Sequence, residues 1–372
     1  MSFAFNGEKP HVLFKNREEW KDVVPIKQDD GPTPVVRIQY TEEYEDAMDY
    51  FRGIIAKKEY SERAKQLTEE LIMLCPANYN IWKYRRDIIE HLNESGLMEF
   101  PFIEKVCMTG TKNYQLWFHR QWTVMRTKFT ENELKFTEEI ISQDAKHYHA
   151  WAYRQWFLDH YGGWDGEFEY TYKLIQEDPF NNSAWNQRFQ ALMHITPSSS
   201  KTNKAEIPSQ DSSAGCTSSA TPSSPDEKAA TGLLVSNRRI GLLNDISRVK
   251  EEIAFAASII ISQKSKALQN NESAWNFIRG FFTRCGAGYK YAEIPEATRF
   301  AEAVAVKNPM CRCAVGILVD ACVEKNTVNS LLEAKEYCTA LADGIDIIRR
   351  NYWLNRRDVE IELKLKALEI EN

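Results

Sequence analysis

Asn113-Tyr114-Gln115-Leu116-Trp117-Phe118-His119-Arg120 is one of four closely similar phrases on which the reading of this chain turns. Upstream stands Asn78-Tyr79-Asn80-Ile81-Trp82-Lys83-Tyr84-Arg85. Downstream follow His147-Tyr148-His149-Ala150-Trp151-Ala152-Tyr153-Arg154 and Asn181-Asn182-Ser183-Ala184-Trp185-Asn186-Gln187-Arg188. A fifth copy, Asn271-Glu272-Ser273-Ala274-Trp275-Asn276-Phe277-Ile278, keeps Asn and Trp but has Ile where Arg stood. The steps from Trp to Trp are 35, 34, 34 and 90 residues. At about 100° per residue, positions four before and three after the Trp lie within about 60° of one another, so Asn, Trp and Arg share one helical stripe. The Asn, or His147 in the third copy, can equally sit at the helix N-cap, with the Trp docking one turn later. A large indole at this period wedges between stacked helix pairs, and the Arg is expected to hydrogen-bond carbonyls or carboxylates of its neighbour. Trp82, Trp117, Trp151, Trp185 and Trp275, with Arg85, Arg120 and Arg188, are therefore expected to be structural repeat residues.

Between the phrases lie second amphipathic segments, such as residues 131–141 and 167–177, whose apolar residues recur at helical spacing without strand-like alternation. Turn signals separate the pairs: Asn93-Glu94-Ser95-Gly96, Thr109-Gly110-Thr111 and Gly162-Gly163. The expected fold is all-α, an α-α superhelix built as a right-handed solenoid of helical hairpins. The 90-residue step is accounted for by residues 197–242, rich in Ser, Thr, Pro, Ala and Lys with almost nothing to bury, which read as a disordered insertion inside one hairpin. The expected organisation is an extended N-terminal segment over 1–40, helical-hairpin repeats over 41–196, the Ser/Pro-rich insertion over 197–242, and remaining and capping repeats over 243–372. In the last part helices are expected near 245–262, 271–283, 293–306, 310–323, 330–348 and 351–370.

With 10 Trp among 372 residues and 43% hydrophobic residues, the chain has the material of a folded protein rich in anchoring side chains. Its formal charge of −6 and lack of long Lys/Arg runs argue against nucleic acid as a partner. No positive segment followed by about 7 to 15 apolar residues opens the chain, and no stretch approaches the roughly 18 apolar residues of a membrane span. A transmembrane segment is not expected, and the cytoplasm is the expected compartment. Eight scattered cysteines fit reduced thiols better than a disulfide framework. Cys311 and Cys313 lack a second ligand pair at zinc spacing, so no metal site is expected in this chain.

The Trp-x-x-Arg phrase, held at 34 to 35 residues with Asn or His four places before the Trp, resembles the protein prenyltransferase α-subunit repeat. The run Asp29-Asp30-Gly31-Pro32-Thr33-Pro34-Val35-Val36, with Asp49-Tyr50-Phe51-Arg52 and Ser61-Glu62-Arg63-Ala64 after it, is similar to the N-terminal segment of the α subunit in the farnesyltransferase and type I geranylgeranyltransferase kind. The resemblance implies an obligate heterodimer that transfers a farnesyl or geranylgeranyl group from prenyl diphosphate to the Cys of a C-terminal C-a-a-X motif. It implies zinc and most of the lipid pocket in a β subunit, magnesium for the holoenzyme, and partners that are that β subunit, prenyl diphosphate and C-a-a-X proteins. It also points to Lys146, just ahead of a helix start where free backbone N–H groups favour an anion, as the residue stabilising the diphosphate leaving group. Lys112 occupies the same slot one repeat earlier. Tyr148, Arg154 and Asn181 are expected to line or brace the substrate face, and Tyr114 and Gln115 to reach the C-a-a-X carboxyl end. His147, His149 and His160 are read as structural. Two other readings stand beside this one: a tetratricopeptide-like peptide-binding adaptor without catalysis, and the α subunit of Rab geranylgeranyltransferase.

Overall fold

The computed structural model describes residues 12–195, 241–283 and 287–371, and every regular element among them is helical. The chain divides into two compact units, the first ending at Gly162 and the second beginning at Gly163. The first opens with two single 3-10 turns, Phe14–Asn16 and Glu18–Trp20, lying against helix α1 (Glu42–Lys57). Phe14 and Trp20 are buried and pack edge to face at 5.1 Å, with the Tyr50 ring of α1 within 6.0 Å of both. Gly53 permits this contact, because a Cβ there would lie 2.6 Å from the Val24 carbonyl oxygen. Three hairpins follow: α2 (Glu62–Leu74) with α3 (Tyr79–His91), α4 (Glu99–Cys107) with α5 (Tyr114–Thr127), and α6 (Glu133–Gln143) with α7 (Tyr148–Tyr161).

The second unit begins at the turn Trp164–Gly166 and pairs α8 (Glu167–Glu177) with α9 (Asn182–His194). Next come α10 (Ile246–Ser262) with α11 (Glu272–Gly280), α12 (Pro295–Lys307) with α13 (Arg312–Lys325), and finally α14 (Val328–Ala340), α15 (Arg350–Asn355) and α16 (Glu362–Glu371). The insertion read over 197–242 falls outside the described residues except for Gly241 and Leu242, which open a 3-10 turn.

Each Trp phrase builds the same local structure. Asn78, Asn113, Asn181 and Asn271 cap α3, α5, α9 and α11 through their side-chain oxygens, and His147 caps α7 through Nδ1. These side chains satisfy backbone donors that the first helical turn leaves free. One turn on, each indole N–H donates to the carbonyl six residues earlier. Trp82 reaches Pro76, Trp117 Thr111, Trp151 Ala145, Trp185 Pro179 and Trp275 Gln269, at 2.7 to 2.9 Å. All five indoles are buried, so each fills the space between helices while its one polar atom stays bonded.

The Arg of the phrase ties consecutive helices together. Arg85 forms two parallel bonds with Glu99 (2.7 and 2.9 Å), Arg120 with Glu133 (2.8 and 2.7 Å), and Arg188 with Glu252 (2.6 and 2.9 Å). The other guanidinium edge turns back to the first helix of its own hairpin. Arg85 meets Lys65 O and Thr68 Oγ1, Arg154 meets Leu134 O and Thr137 Oγ1, and Arg188 meets Phe168 O and Thr171 Oγ1. Ile103 stands where those threonines are in the α4 hairpin, and there Arg120 Nη1 is left without a hydrogen bond; the guanidinium lies 3.4 Å over the Phe136 ring instead. Two of these carboxylates also take a bond from the second helix of their own hairpin: His119 Nε2 bonds Glu99 at 2.8 Å and Tyr153 OH bonds Glu133. Gln187 Nε2 of α9 likewise bonds Glu167 at the start of α8, at 2.7 Å. Arg85 and Glu99 are 14 residues apart, Arg120 and Glu133 are 13, and Arg188 and Glu252 are 64, so the pairing resumes in register after about 50 extra residues.

The C-terminal region departs from the expected pattern. The helix read over 330–348 ends at Ala340 and passes through a π-helical turn, Leu341–Ile345, into buried Asp346. Asp346 accepts from Trp353 Nε1 at 2.9 Å and pairs with Arg349, which holds the chain out of the helix. The stretch read as one helix over 351–370 is likewise interrupted by a π-helical turn, Arg356–Ile361. Apolar periodicity signals the helical stripe but does not register one extra residue in a turn.

Burial sets the protonation of the Glu99 cluster. It pushes the His119 imidazole down to about 4, against the raising effect of its bond to Glu99. Burial alone would raise the Glu99 carboxyl, but the His119 bond and the Arg85 charge outweigh it and bring it to about 2. Imidazole is therefore neutral, and its Nε2–H donates to an ionised carboxylate. Both groups bind fewer protons folded than unfolded, so both lose stabilisation as pH falls. Stability should be level near neutrality, decline below about 6.5 as unfolded His119 takes up a proton, and fall further below about 4.5 as Glu99 does. Urea midpoints measured across pH check this, and His119→Gln, which keeps a donor, should remove the upper part of the decline. Arg85→Met should cost about 3 to 5 kcal/mol by leaving the ionised Glu99 buried with only a neutral imidazole bonded to it. Lys83→Met, which breaks an exposed pair with Asp87, should stay within about 0.5 kcal/mol in the same measurement.

Candidate functional site

The capping geometry places the helix N-termini of the first unit side by side. At the starts of α5 and α7 the exposed rings of Tyr114 and Tyr148 stand 6.4 Å apart, with His149 between them at 4.4 and 5.3 Å. Tyr79 is exposed at the corresponding first position of α3. Behind this row His147 Nδ1 accepts from Ala150 N, so the neutral ring carries its proton on Nε2 and donates it to Thr111 Oγ1 at 2.8 Å. Burial lowers the pKa of both His147 and His149, which favours the neutral form of each imidazole.

Two lysines flank the rings. Lys112 Nζ pairs with Asp144 Oδ2 at 2.8 Å, and Asp144 Oδ1 accepts the Lys146 backbone N–H at 3.1 Å. The Lys112 bond, followed by the backbone bond, lowers the Asp144 pKa. The ammonium of Lys146 is exposed and has no ion-pair partner among the described residues. One carboxylate thus spans equivalent positions of two repeats, holding one cation by charge and the other by its main chain. Helix N-termini, whose caps leave part of the first turn's backbone donors over, two cations and edge-to-face rings make an edge able to accept an anionic head and an apolar or peptide body.

Lys146, Tyr148 and Tyr114 are brought together here, with half-buried Gln115 next to Tyr114. Arg154 is instead buried, its guanidinium turned into the α6 packing and toward Glu138 at 3.2 Å. Asn181 belongs to the second unit, where it is buried and caps α9. The residues that sequence reasoning passed over are Asp144 and Thr111, together with the carboxylates Glu99, Glu133 and Glu252; His149, read as structural, lies between the two exposed rings. A Glu 13 or 14 places after Arg85 and Arg120 was the available signal for the first two carboxylates. Among the described residues no cluster of His, Cys, Asp and Glu has the makings of a metal site.

Hairpins repeating at this period, joined by a capped Trp and a buried Arg–Glu bridge, define a helical-repeat protein. Residues 61–92, 97–127, 130–161 and 164–195 each match the family model described as "Protein prenyltransferase alpha subunit repeat". A stretch of 104 residues is 49% identical to the protein farnesyltransferase/geranylgeranyltransferase type-1 subunit alpha of Solanum lycopersicum, covering 28% of this chain and 30% of that one. A stretch of 115 residues is 45% identical to the protein of the same name from Schizosaccharomyces pombe, covering 31% and 39%. The matched segments thus span about a third of these relatives. In fold, the chain is similar to Candida albicans protein geranylgeranyltransferase-I complexed with GGPP, with a TM-score of 0.67 and 22% identity over 92% of this chain and 99% of that one.

His147 stands where the other copies have Asn, so His147→Asn should preserve stability to within about 0.5 kcal/mol, whereas His147→Ala should cost about 1 kcal/mol. Thermal unfolding of the two variants checks this.

Proposed function

We propose that this chain is the α subunit of a heterodimeric protein prenyltransferase of the farnesyltransferase and type I geranylgeranyltransferase kind, working with a β subunit in the cytoplasm. The observation that carries the reading is the Lys112–Asp144–Lys146 edge beside Tyr114, Tyr148 and His149, formed by the repeat that gives the family its name. In the reaction a Cys sulfur of the C-a-a-X protein forms a bond to C1 of the prenyl chain, the C1–O bond breaks, and diphosphate departs with the electron pair. Zinc, which lowers the thiol pKa, belongs in this reading to the β subunit, and magnesium to the holoenzyme.

This chain contributes preorganised positive charge. An exposed ammonium free of a carboxylate partner, Lys146, can turn to the departing oxygens without first breaking an ion pair, and helix N-termini reinforce it. Tyr148 and Tyr114 offer ring faces and hydroxyls to the isoprenoid and peptide, and Gln115 an amide donor for the peptide carboxylate. Arg154 and Asn181 act in this reading by bracing the helices that carry these groups. Six free cysteines among the described residues suit a reducing compartment. Among those residues, too, no helix is long and apolar enough to cross a membrane.

In the purified heterodimer, Lys146→Ala should lower turnover by about 10²- to 10³-fold while partner and peptide affinity persist. Lys112→Ala, assayed in parallel, tells the two positions apart: a loss confined to that variant moves the role one repeat back. Parent rates in both variants and in the double variant would remove the charge-stabilising role from this edge.

A further inference from the structure

Arg86 of α3 is only 9% exposed, yet it makes no hydrogen bond or ion pair with any described residue. Its Nη1 is enclosed without a partner, and the guanidinium lies 5.0 Å over the Phe118 ring of α5. Burial pushes its pKa below the ordinary arginine value, against the charges of Asp87 and Glu90 on its own helix, and Asp87 is already paired with Lys83. His119, neutral and bonded to Glu99, brings no negative charge from α5. A cation enclosed without an acceptor is destabilising, so the arrangement is complete only when an acceptor arrives from outside the chain.

The repeat shows which acceptor fits. Eight residues after the helix cap stand Arg86, Gln121, Gln155, Phe189 and Arg279 in turn, so only two of the five phrases carry a cation there. Arg279 donates to Asp320 Oδ2 at 2.7 Å, and Asp320 lies nine residues after Cys311, the cap of the next second helix, α13. Nine residues after Asn113, the corresponding cap for Arg86, the chain has Trp122, which stacks on His119 at 5.3 Å. One repeat thus supplies the carboxylate that a guanidinium pairs with best, and the other puts an indole in its place. Phe118 connects this opening with the candidate edge: it stands one turn along α5 from Tyr114, and both rings are exposed. We propose that Arg86 receives an Asp or Glu carboxylate from the β subunit that completes the site, in the place that Asp320 takes beside Arg279. This rests on the α-subunit reading given above.

The test is co-expression of the full chain with a farnesyltransferase β subunit, comparing the parent, Arg86→Met and Arg86→Lys by the rate at which the purified heterodimer exchanges its subunits. Arg86→Met removes the unpaired charge and keeps most of the bulk, so the thermal midpoint of the uncombined chain should match or exceed the parent's. Its heterodimer should exchange about thirtyfold faster or more, and Arg86→Lys should recover part of that loss. A role confined to packing within the chain gives the opposite split, a lower midpoint with parent-like exchange, and that result overturns the proposal while leaving the α-subunit reading intact. A crystal structure of the parent heterodimer should place a carboxylate oxygen of the β subunit within hydrogen-bond reach of Arg86. A water molecule or a free anion in that place overturns the proposal as well. Failure of the parent to pair with the β subunit overturns both readings.

Discussion

A guanidinium and a carboxylate buried together, neither tolerable alone, govern this fold. Glu99, Glu133 and Glu252 are each almost wholly enclosed, and each receives two parallel bonds from the Arg of the preceding hairpin. An isolated buried charge of either sign costs several kcal/mol, so the two helices must meet with both partners in register. The carboxylates also bind their own hairpins where His119 and Tyr153 reach them, so one carboxylate connects three helices. The capped Trp then sets the angle at which each second helix enters, through one indole bond made the same way in five phrases.

The candidate edge follows from what this packing leaves at the helix ends. Caps at equivalent positions bring the starts of α5 and α7 together, and with them the Tyr114, Tyr148 and His149 rings. Asp144 then distinguishes two lysines that the repeat would otherwise make equivalent: Lys112 is held in an ion pair, while Lys146 is tied only through its backbone. A periodic scaffold thus acquires one locally asymmetric edge by the placement of a single carboxylate.

Much of the helical pattern was legible because a Trp at 34- to 35-residue spacing, preceded by a capping Asn, is a strong periodic signal. The interruptions at Leu341–Ile345 and Arg356–Ile361 were not, because a π-helical turn adds one residue without disturbing the apolar stripe enough to be read. The candidate edge was legible in part. Tyr148 and Tyr114 stand in the repeated phrase and Lys146 directly before it, but outside the Asn-Trp-Arg stripe the phrase does not tell which side chains come together at the helix ends. Arg154 and Tyr148 are six residues apart in one helix and meet opposite environments, one buried and one 67% exposed.

By itself the sequence determined the period, the caps and the buried stripe, because these depend on spacing along one helix and on residue types whose chemistry is local. Which carboxylate met each Arg, which lysine kept its ammonium free, and which apolar residues stayed uncovered were decided by the tertiary structure. Those outcomes depend on distances between residues 13 to 64 positions apart, and only packing brings such residues within the roughly 3 Å over which hydrogen bonds and ion pairs act.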